Sequence, residues 1–140
     1  MKRVVLDTDV LLVSISDRSK LHWVFNSLIE NKYQLYVTTD ILLEYSEILS
    51  IHMNQQVSES VLGVFENLSN VNFITNYYKF NLLIDEDDNK FVDCAIAANA
   101  DFIVTHDNDF KILNEISFPK VKILSSTEFK DLLLDQKSNT

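Results

Sequence analysis

The chain has 140 residues, of which 46% are hydrophobic, enough for one domain with its own core. Its net charge is −9, which argues against a simple nucleic-acid-binding module, because such modules contact phosphates through Lys and Arg. The single cysteine, Cys94, excludes an internal disulfide, no apolar run approaches membrane-spanning length, and the start of the chain lacks a signal-peptide pattern. We therefore expect a cytoplasmic protein with no membrane contact.

The first half of the chain alternates short apolar runs with longer stretches of helical periodicity. The runs have the length of buried strands, and the stretches between them repeat apolar residues three and four positions apart. Asp40 is the predicted N-cap of the second helix. The predicted strands are residues 3–7, 35–38 and 71–74, and the predicted helices are residues 19–31, the segment after Asp40 and residues 57–68.

The second half starts with the acidic loop Asp85-Glu86-Asp87-Asp88-Asn89, in which Asp87 or Asp88 can cap a helix. Residues 135–140 are predicted to be a frayed tail. The predicted elements are a helix at 89–99, a strand at 102–105, a helical turn at 109–113, a strand at 121–124 and a helix that begins at Ser126. Strands that alternate with helices indicate an α/β fold, a three-layer α/β/α arrangement around a mostly parallel five-stranded sheet.

Four acidic residues are predicted to lie at one edge of this sheet. Asp7 ends the first strand and Asp107 follows the fourth, whereas Glu44 and Asp93 lie in early turns of helices. In an open parallel sheet, strand C-termini and helix N-termini share the edge where ligands bind. Each residue alone has a structural explanation, as a cap or a helix-dipole partner. Together, four converging carboxylates repel one another unless cations lie between them, which favours a divalent metal site.

Four segments resemble, in order, the motifs of the PIN-domain nucleases, in particular the toxin-like ribonucleases of prokaryotic toxin–antitoxin pairs. The segments are Val5-Leu6-Asp7-Thr8-Asp9-Val10-Leu11, Ile41-Leu42-Leu43-Glu44-Tyr45, the run from Asp85 to Asp101, and Thr105-His106-Asp107-Asn108-Asp109-Phe110. The similarity runs from Lys2 to about Leu133. One departure is Asp9, which stands where the family commonly has Asn and adds a charge beside the site.

The resemblance implies that residues 1–134 form a PIN-like nuclease domain that hydrolyses RNA phosphodiester bonds with Mg²⁺ or Mn²⁺. The catalytic and metal-binding residues that it implies are Asp7, Glu44, Asp93 and Asp107. The residues expected to support them or to contact substrate are Thr8, Asp88, Lys90, Thr105 and Asp109. Whether Asp107 or Asp109 is the fourth acid stays open at this point. The family also implies a cognate antitoxin as partner, and homodimers are common in it.

Two alternatives compete with the nuclease. The sequence Asp7-Thr8-Asp9 is similar to the first motif of haloacid-dehalogenase-like phosphatases, in which one Asp is the nucleophile and the other the acid/base. This family normally has glycine-containing loops after that motif, and the segment here has none. The second alternative is a PIN-like fold that binds a partner without catalysis, which the acidic charge allows.

Overall fold

The computed structural model describes the backbone of residues 1–138 and the side chains of residues 1–135. Five strands form one sheet, and every pairing in it is parallel, so the sheet is fully rather than mostly parallel. The strand order is β3-β2-β1-β4-β5. The strands are β1 (Arg3–Leu6), β2 (Gln34–Val37), β3 (Val71–Phe73), β4 (Phe102–Val104) and β5 (Ile123–Leu124).

Helices cover both faces of this sheet, which confirms the three-layer α/β/α prediction. The helices are α1 (Thr8–Ile15), α2 (His22–Ile29), α3 (Thr39–His52), α4 (Gln55–Asn67), α5 (Asn89–Ala98) and α6 (Ser126–Ser138), with 3-10 segments at Glu86–Asp88 and Asn108–Glu115. Because α6 continues to Ser138, it extends past residue 134. The fraying of residues 135–140 stays a prediction, and residues 139 and 140 lie outside the described part of the chain.

Helix α1 is an element that the sequence patterns do not predict. Only Asp7 separates the end of β1 from the eight residues of this helix. The apolar residues of the strand and of the helix therefore form an almost continuous run in the sequence. Asp7 has extended backbone angles and accepts a hydrogen bond from the Thr8 amide, as expected of an N-cap residue. Val10, Leu11 and Ser14 are buried at helical spacing.

Two predicted helix starts are also wrong. Thr38, not Asp40, is the N-cap of α3, because the Thr38 hydroxyl accepts a hydrogen bond from the Ile41 amide at 3.3 Å. Asp40 lies in the first turn, where its charge favours the helix dipole. Helix α2 begins at His22 rather than at Ser19, whose hydroxyl accepts from the Leu21 amide in a turn that precedes the helix.

Two contacts between elements position the residues of the C-terminal edge of the sheet. The Tyr45 hydroxyl of α3 donates a hydrogen bond to the Leu6 carbonyl at the end of β1 and thereby fixes α3 against that strand end. The Phe91 ring of α5 lies 6.5 Å from the Phe110 ring of the second 3-10 segment. The start of α5 and the loop after β4 therefore stay together.

The sheet order also determines where a ligand crevice forms. Strand β1 lies in the centre, with β2 and β3 on one side and β4 and β5 on the other. From β1 the chain adds β2 and β3 on one side of the sheet, and it then adds β4 and β5 on the other side, so the strand order reverses between β1 and β4. Ligands of open α/β sheets bind beyond the C-termini of the strands at such a switch point. Asp7 follows β1, and Asp107 follows β4.

Candidate metal centre

Asp7 lies at the centre of this crevice, 7% exposed. One carboxylate oxygen accepts from the Thr8 amide at 2.8 Å, and the other accepts from the Thr105 hydroxyl, also at 2.8 Å. Burial raises the pKa of Asp7 to about 6, against the opposing effect of these two hydrogen bonds, and the charges of Asp9 and Asp107 raise it further. The carboxylate is thus held in one orientation at a cost in desolvation.

Three further carboxylates form a cluster beside Asp7. Oxygens of Asp88, Asp107 and Asp109 all lie within 4.8 Å of one another. Burial raises the pKa of Asp88 to about 7, and the charges of Asp85, Asp107, Asp7 and Asp109 raise it further. We refer to Asp7, Asp88, Asp107 and Asp109 as the acid cluster.

One oxygen of the acid cluster, Oδ2 of Asp88, is buried without any hydrogen-bond partner among the described residues. A buried carboxylate oxygen with no donor is costly, so such an atom indicates a missing positive partner. Hard divalent cations are bound by carboxylate oxygens. The donor set of the acid cluster therefore fits Mg²⁺ or Mn²⁺.

Asp107 and Asp109 are both members of the acid cluster, whereas the motif resemblance leaves open which of them is the fourth acid. Asp107 caps the second 3-10 segment by accepting from the Asp109 amide at 2.9 Å. This bond brings the backbone of Asp109 close to the carboxylate of Asp107, and the two side chains face Asp88 together.

Glu44 borders the acid cluster, but both of its carboxylate oxygens are engaged. Oε2 accepts from the Thr8 hydroxyl, and Oε1 forms an ion pair with Lys90 Nζ at 2.7 Å. Glu44 and Lys90 are 23% and 20% exposed in their side chains, so the pair is largely shielded from water. The structure thus connects three predicted site residues, Thr8, Glu44 and Lys90, in one chain of hydrogen bonds next to Asp7.

The Asp93 carboxylate is engaged outside the acid cluster, which differs from the predicted convergence. Its Oδ1 accepts from the Phe80 amide at 3.1 Å, and it lines a different cavity together with Tyr77 and Tyr78. Burial raises the pKa of Asp93, whereas the bond from Phe80 and the charge of Lys79 lower it. Asp93 therefore fastens the segment before α5, and Asp88 takes the place near Asp7 that the sequence assigned to Asp93.

The physical reason for this exchange is the direction of α5. This helix leads into β4, so its first residue is the one nearest the C-terminal edge of the sheet. Asp93 is four positions further along the helix, roughly 6 Å down its axis. Asp88 directly precedes the helix in the sequence, and its predicted roles are a helix cap and a residue that supports the site. It makes no side-chain capping bond.

Thr105 connects the two strand ends that carry Asp7 and Asp107. Its hydroxyl donates to Asp7 Oδ2 and accepts from the Asp107 amide at 3.0 Å. His106, the next residue, is engaged elsewhere: its Nε2 accepts from the Ser126 amide at 3.2 Å, at the start of α6. The loop after β4 is thus fixed on both sides.

The substitution Thr105→Val is expected to destabilise the protein by about 1–3 kcal/mol, because it leaves a buried carboxylate oxygen and a backbone amide unsatisfied. It should also raise the pKa of Asp7 above about 6, since the Thr105 hydroxyl lowers it. Urea unfolding at pH 7 measures the first effect. Thr127→Val, at an exposed position of α6, is the matched control. Equal stability of the two variants would contradict the role of Thr105.

The family model described as PIN domain matches residues 3–109. The chain belongs to the PIN-domain family. The match includes β1 with Asp7, the Glu44 helix, the start of α5 and the loop with Asp107 and Asp109. Membership in this family leaves the haloacid-dehalogenase-like alternative without support. In agreement, Asp9 is exposed and does not share the buried position of Asp7.

Solved structures with the same fold include two proteins that are bound to DNA. VapBC2 from Rickettsia felis, bound to a DNA fragment from its promoter, matches with a TM-score of 0.61 and 20% identity over 88% of this chain and 98% of that chain. DNA-bound VapBC from Salmonella typhimurium matches with a TM-score of 0.58 and 12% identity over 90% and 99%. At these identities the likeness shows the fold. No curated protein sequence matches this PIN domain.

Proposed function

We propose that this PIN domain is a metal-dependent endoribonuclease that hydrolyses RNA phosphodiester bonds with Mg²⁺ or Mn²⁺. The observation that supports it most is the buried, unpaired Oδ2 of Asp88 among the carboxylates of Asp107 and Asp109, next to Asp7. A buried carboxylate oxygen without a hydrogen-bond donor is unfavourable in a purely structural cluster, whereas a bound cation would stabilise it.

The residues that would hold the metal are Asp7, Asp88, Asp107 and Asp109. A bound divalent cation supplies positive charge to the attacked phosphate and lowers the pKa of the water that attacks it. Thr105 and the Thr8 amide hold Asp7 in a fixed orientation for this purpose. Asp93 has no ligand role in this proposal, because its carboxylate is bonded to the Phe80 amide.

Glu44 is proposed to position Lys90 and Thr8 rather than to act mainly as a ligand. The ion pair places the Lys90 ammonium group at the border of the acid cluster. There it can donate to a phosphate oxygen, and its charge offsets part of the repulsion between an acidic site and a polyanionic substrate. Glu44 in turn accepts from the Thr8 hydroxyl and so fixes that residue, and the backbone amide of Thr8 donates to Asp7.

We also propose that the protein is the toxin component of a toxin–antitoxin pair. The two solved structures named above are complexes of this type, and they share the fold over most of this chain. A net charge of −9 suits a cognate antitoxin with a basic segment. The homodimer and the cytoplasmic location stay predictions. No helix in the described part of the chain is long and apolar enough to cross a membrane.

The proposed activity is tested by incubating purified protein with a pool of labelled RNAs in Mg²⁺, in Mn²⁺ and in EDTA. We expect cleavage with either metal and none in EDTA. An Asp88→Asn preparation, purified in the same way, controls for contaminating nuclease. If wild type and variant show the same residual cleavage, or if no RNA in a diverse pool is cut, the chain is better described as a PIN-like module that binds a partner without catalysis.

A further inference from the structure

A cavity of about 610 Å³ lies next to the acid cluster, on the side of β5. It shares Thr105 and Asp107 with the site described above, so the two are continuous. Three lysines from different elements line it: Lys111 belongs to the second 3-10 segment, and Lys120 and Lys122 lie in the segment that enters β5. The chain has a net charge of −9 and only 12 basic residues, so three lysines at one cavity concentrate positive charge in an otherwise acidic protein.

These ammonium groups are exposed and available for a ligand. Among the residues whose side chains are described, ion pairs occur at Lys32 and Lys90, and none involves the three lysines of the cavity. Glu128 also lines the cavity and attracts Lys122. Its carboxylate, however, accepts from the Ser125 amide at 3.0 Å as part of the cap of α6, so it does not close an ion pair with the lysine.

We infer that this cavity binds the phosphate backbone of the RNA strand on one side of the bond that the acid cluster cleaves; the inference rests on the proposed ribonuclease function. Lysines that contact phosphates give binding without sequence information, and they orient the strand. The amide side chains of Asn108 and Asn114, which also line the cavity, can donate to phosphate or sugar oxygens. A strand that leaves the metal centre past Asp107 enters this cavity directly. The lysines thus supply the attraction that the acidic site lacks.

The test is RNA binding by a Lys111→Gln, Lys120→Gln, Lys122→Gln variant. Fluorescence anisotropy with a labelled single-stranded 12-mer RNA, in Ca²⁺ to occupy carboxylate sites and over a range of NaCl concentrations, measures affinity separately from cleavage. Gel analysis verifies that the RNA stays intact. We expect affinity to fall by about tenfold or more at 0.1 M salt. The slope of log K against log salt should fall by about 2, because each phosphate contact on a single strand contributes about 0.7.

The matched control carries Lys20→Gln, Lys79→Gln and Lys130→Gln, the same charge change at exposed positions that do not line the cavity. All three cavity lysines are exposed, and thermal unfolding and circular dichroism verify that both variants fold. Equal loss of affinity in the two variants, equal binding of a poly-glutamate peptide of the same length, or no RNA binding by the wild type would overturn the inference. RNA binding that depends on the cavity lysines, in a protein that cuts no RNA with Mg²⁺ or Mn²⁺, would contradict the proposed nuclease and leave the cavity assignment intact.

Discussion

Asp88→Asn is expected to reduce metal-dependent RNA cleavage by at least about 100-fold, whereas Asp93→Asn should stay within about threefold of wild type. Both changes remove one carboxylate from the same short stretch of chain. They differ in what the carboxylate touches. An oxygen of Asp88 lies within 4.8 Å of oxygens of Asp107 and Asp109, and its Oδ2 has no hydrogen-bond partner among the described residues. Asp93 instead accepts a hydrogen bond from the Phe80 amide.

Neither substitution should unfold the protein. Asparagine at position 93 retains an oxygen that can accept from the Phe80 amide, and it removes a charge whose burial is unfavourable. Asparagine at position 88 removes a charge that is repelled by its neighbours. Any loss of cleavage in Asp88→Asn is therefore a loss of metal or transition-state charge stabilisation, not of the fold.

Initial rates on one labelled RNA, at saturating Mg²⁺ or Mn²⁺, measure the two effects side by side. A titration of metal for each variant shows whether the defect is in metal binding, because a lost ligand raises the metal concentration that is needed. If Asp93→Asn abolishes cleavage and Asp88→Asn does not, the assignment from sequence motifs is the right one, and Asp93 must turn toward the metal in the active state.

The sequence predicts which residues lie at the C-terminal ends of the strands, because short-range apolar patterns determine where a strand ends. Asp7 and Asp107 both follow buried apolar runs, and parallel strands bring such positions to one edge whatever the remaining details are. The five strands and the parallel arrangement follow in the same way from the alternation of strands with helices.

The position of a helical residue relative to that edge is harder to predict. Asp88 and Asp93 differ by five residues, which changes both the depth below the edge and the side of the helix that each occupies. A motif resemblance fixes neither of these. Likewise, nothing in the spacing shows that Lys90 pairs with Glu44 across 46 residues of chain, because that contact depends on how α3 and α5 pack.

In metal-free buffer, the stability of this protein is expected to fall as pH rises from about 4 to about 7.5. The pKa values of Asp7 and Asp88 are raised from 3.8 to about 6 and about 7. A carboxyl whose pKa is higher in the folded state binds its proton more tightly there, so folding is favoured at low pH. This advantage is lost as pH rises through the folded pKa. The shift of the buried Asp7 corresponds to about 3 kcal/mol, and the partly exposed Asp88 adds a smaller amount because solvent screens its charge.

Thermal unfolding in EDTA across this pH range measures the loss of stability. We expect the Tm to be about 5–10 °C lower at pH 7.5 than at pH 5. Mg²⁺ or Mn²⁺ at pH 7.5 should restore most of the lost Tm, since a cation binds the ionised carboxylates of the folded state. Asp88→Asn should weaken both the pH dependence and the response to metal, and Asp131→Asn, which removes an exposed charge on α6, should change neither. A Tm of the wild type that is independent of metal at pH 7.5 would mean that the acid cluster is held together by something other than a cation. Because this readout needs no RNA, it tests the metal centre even where the correct RNA target is missing from a cleavage assay.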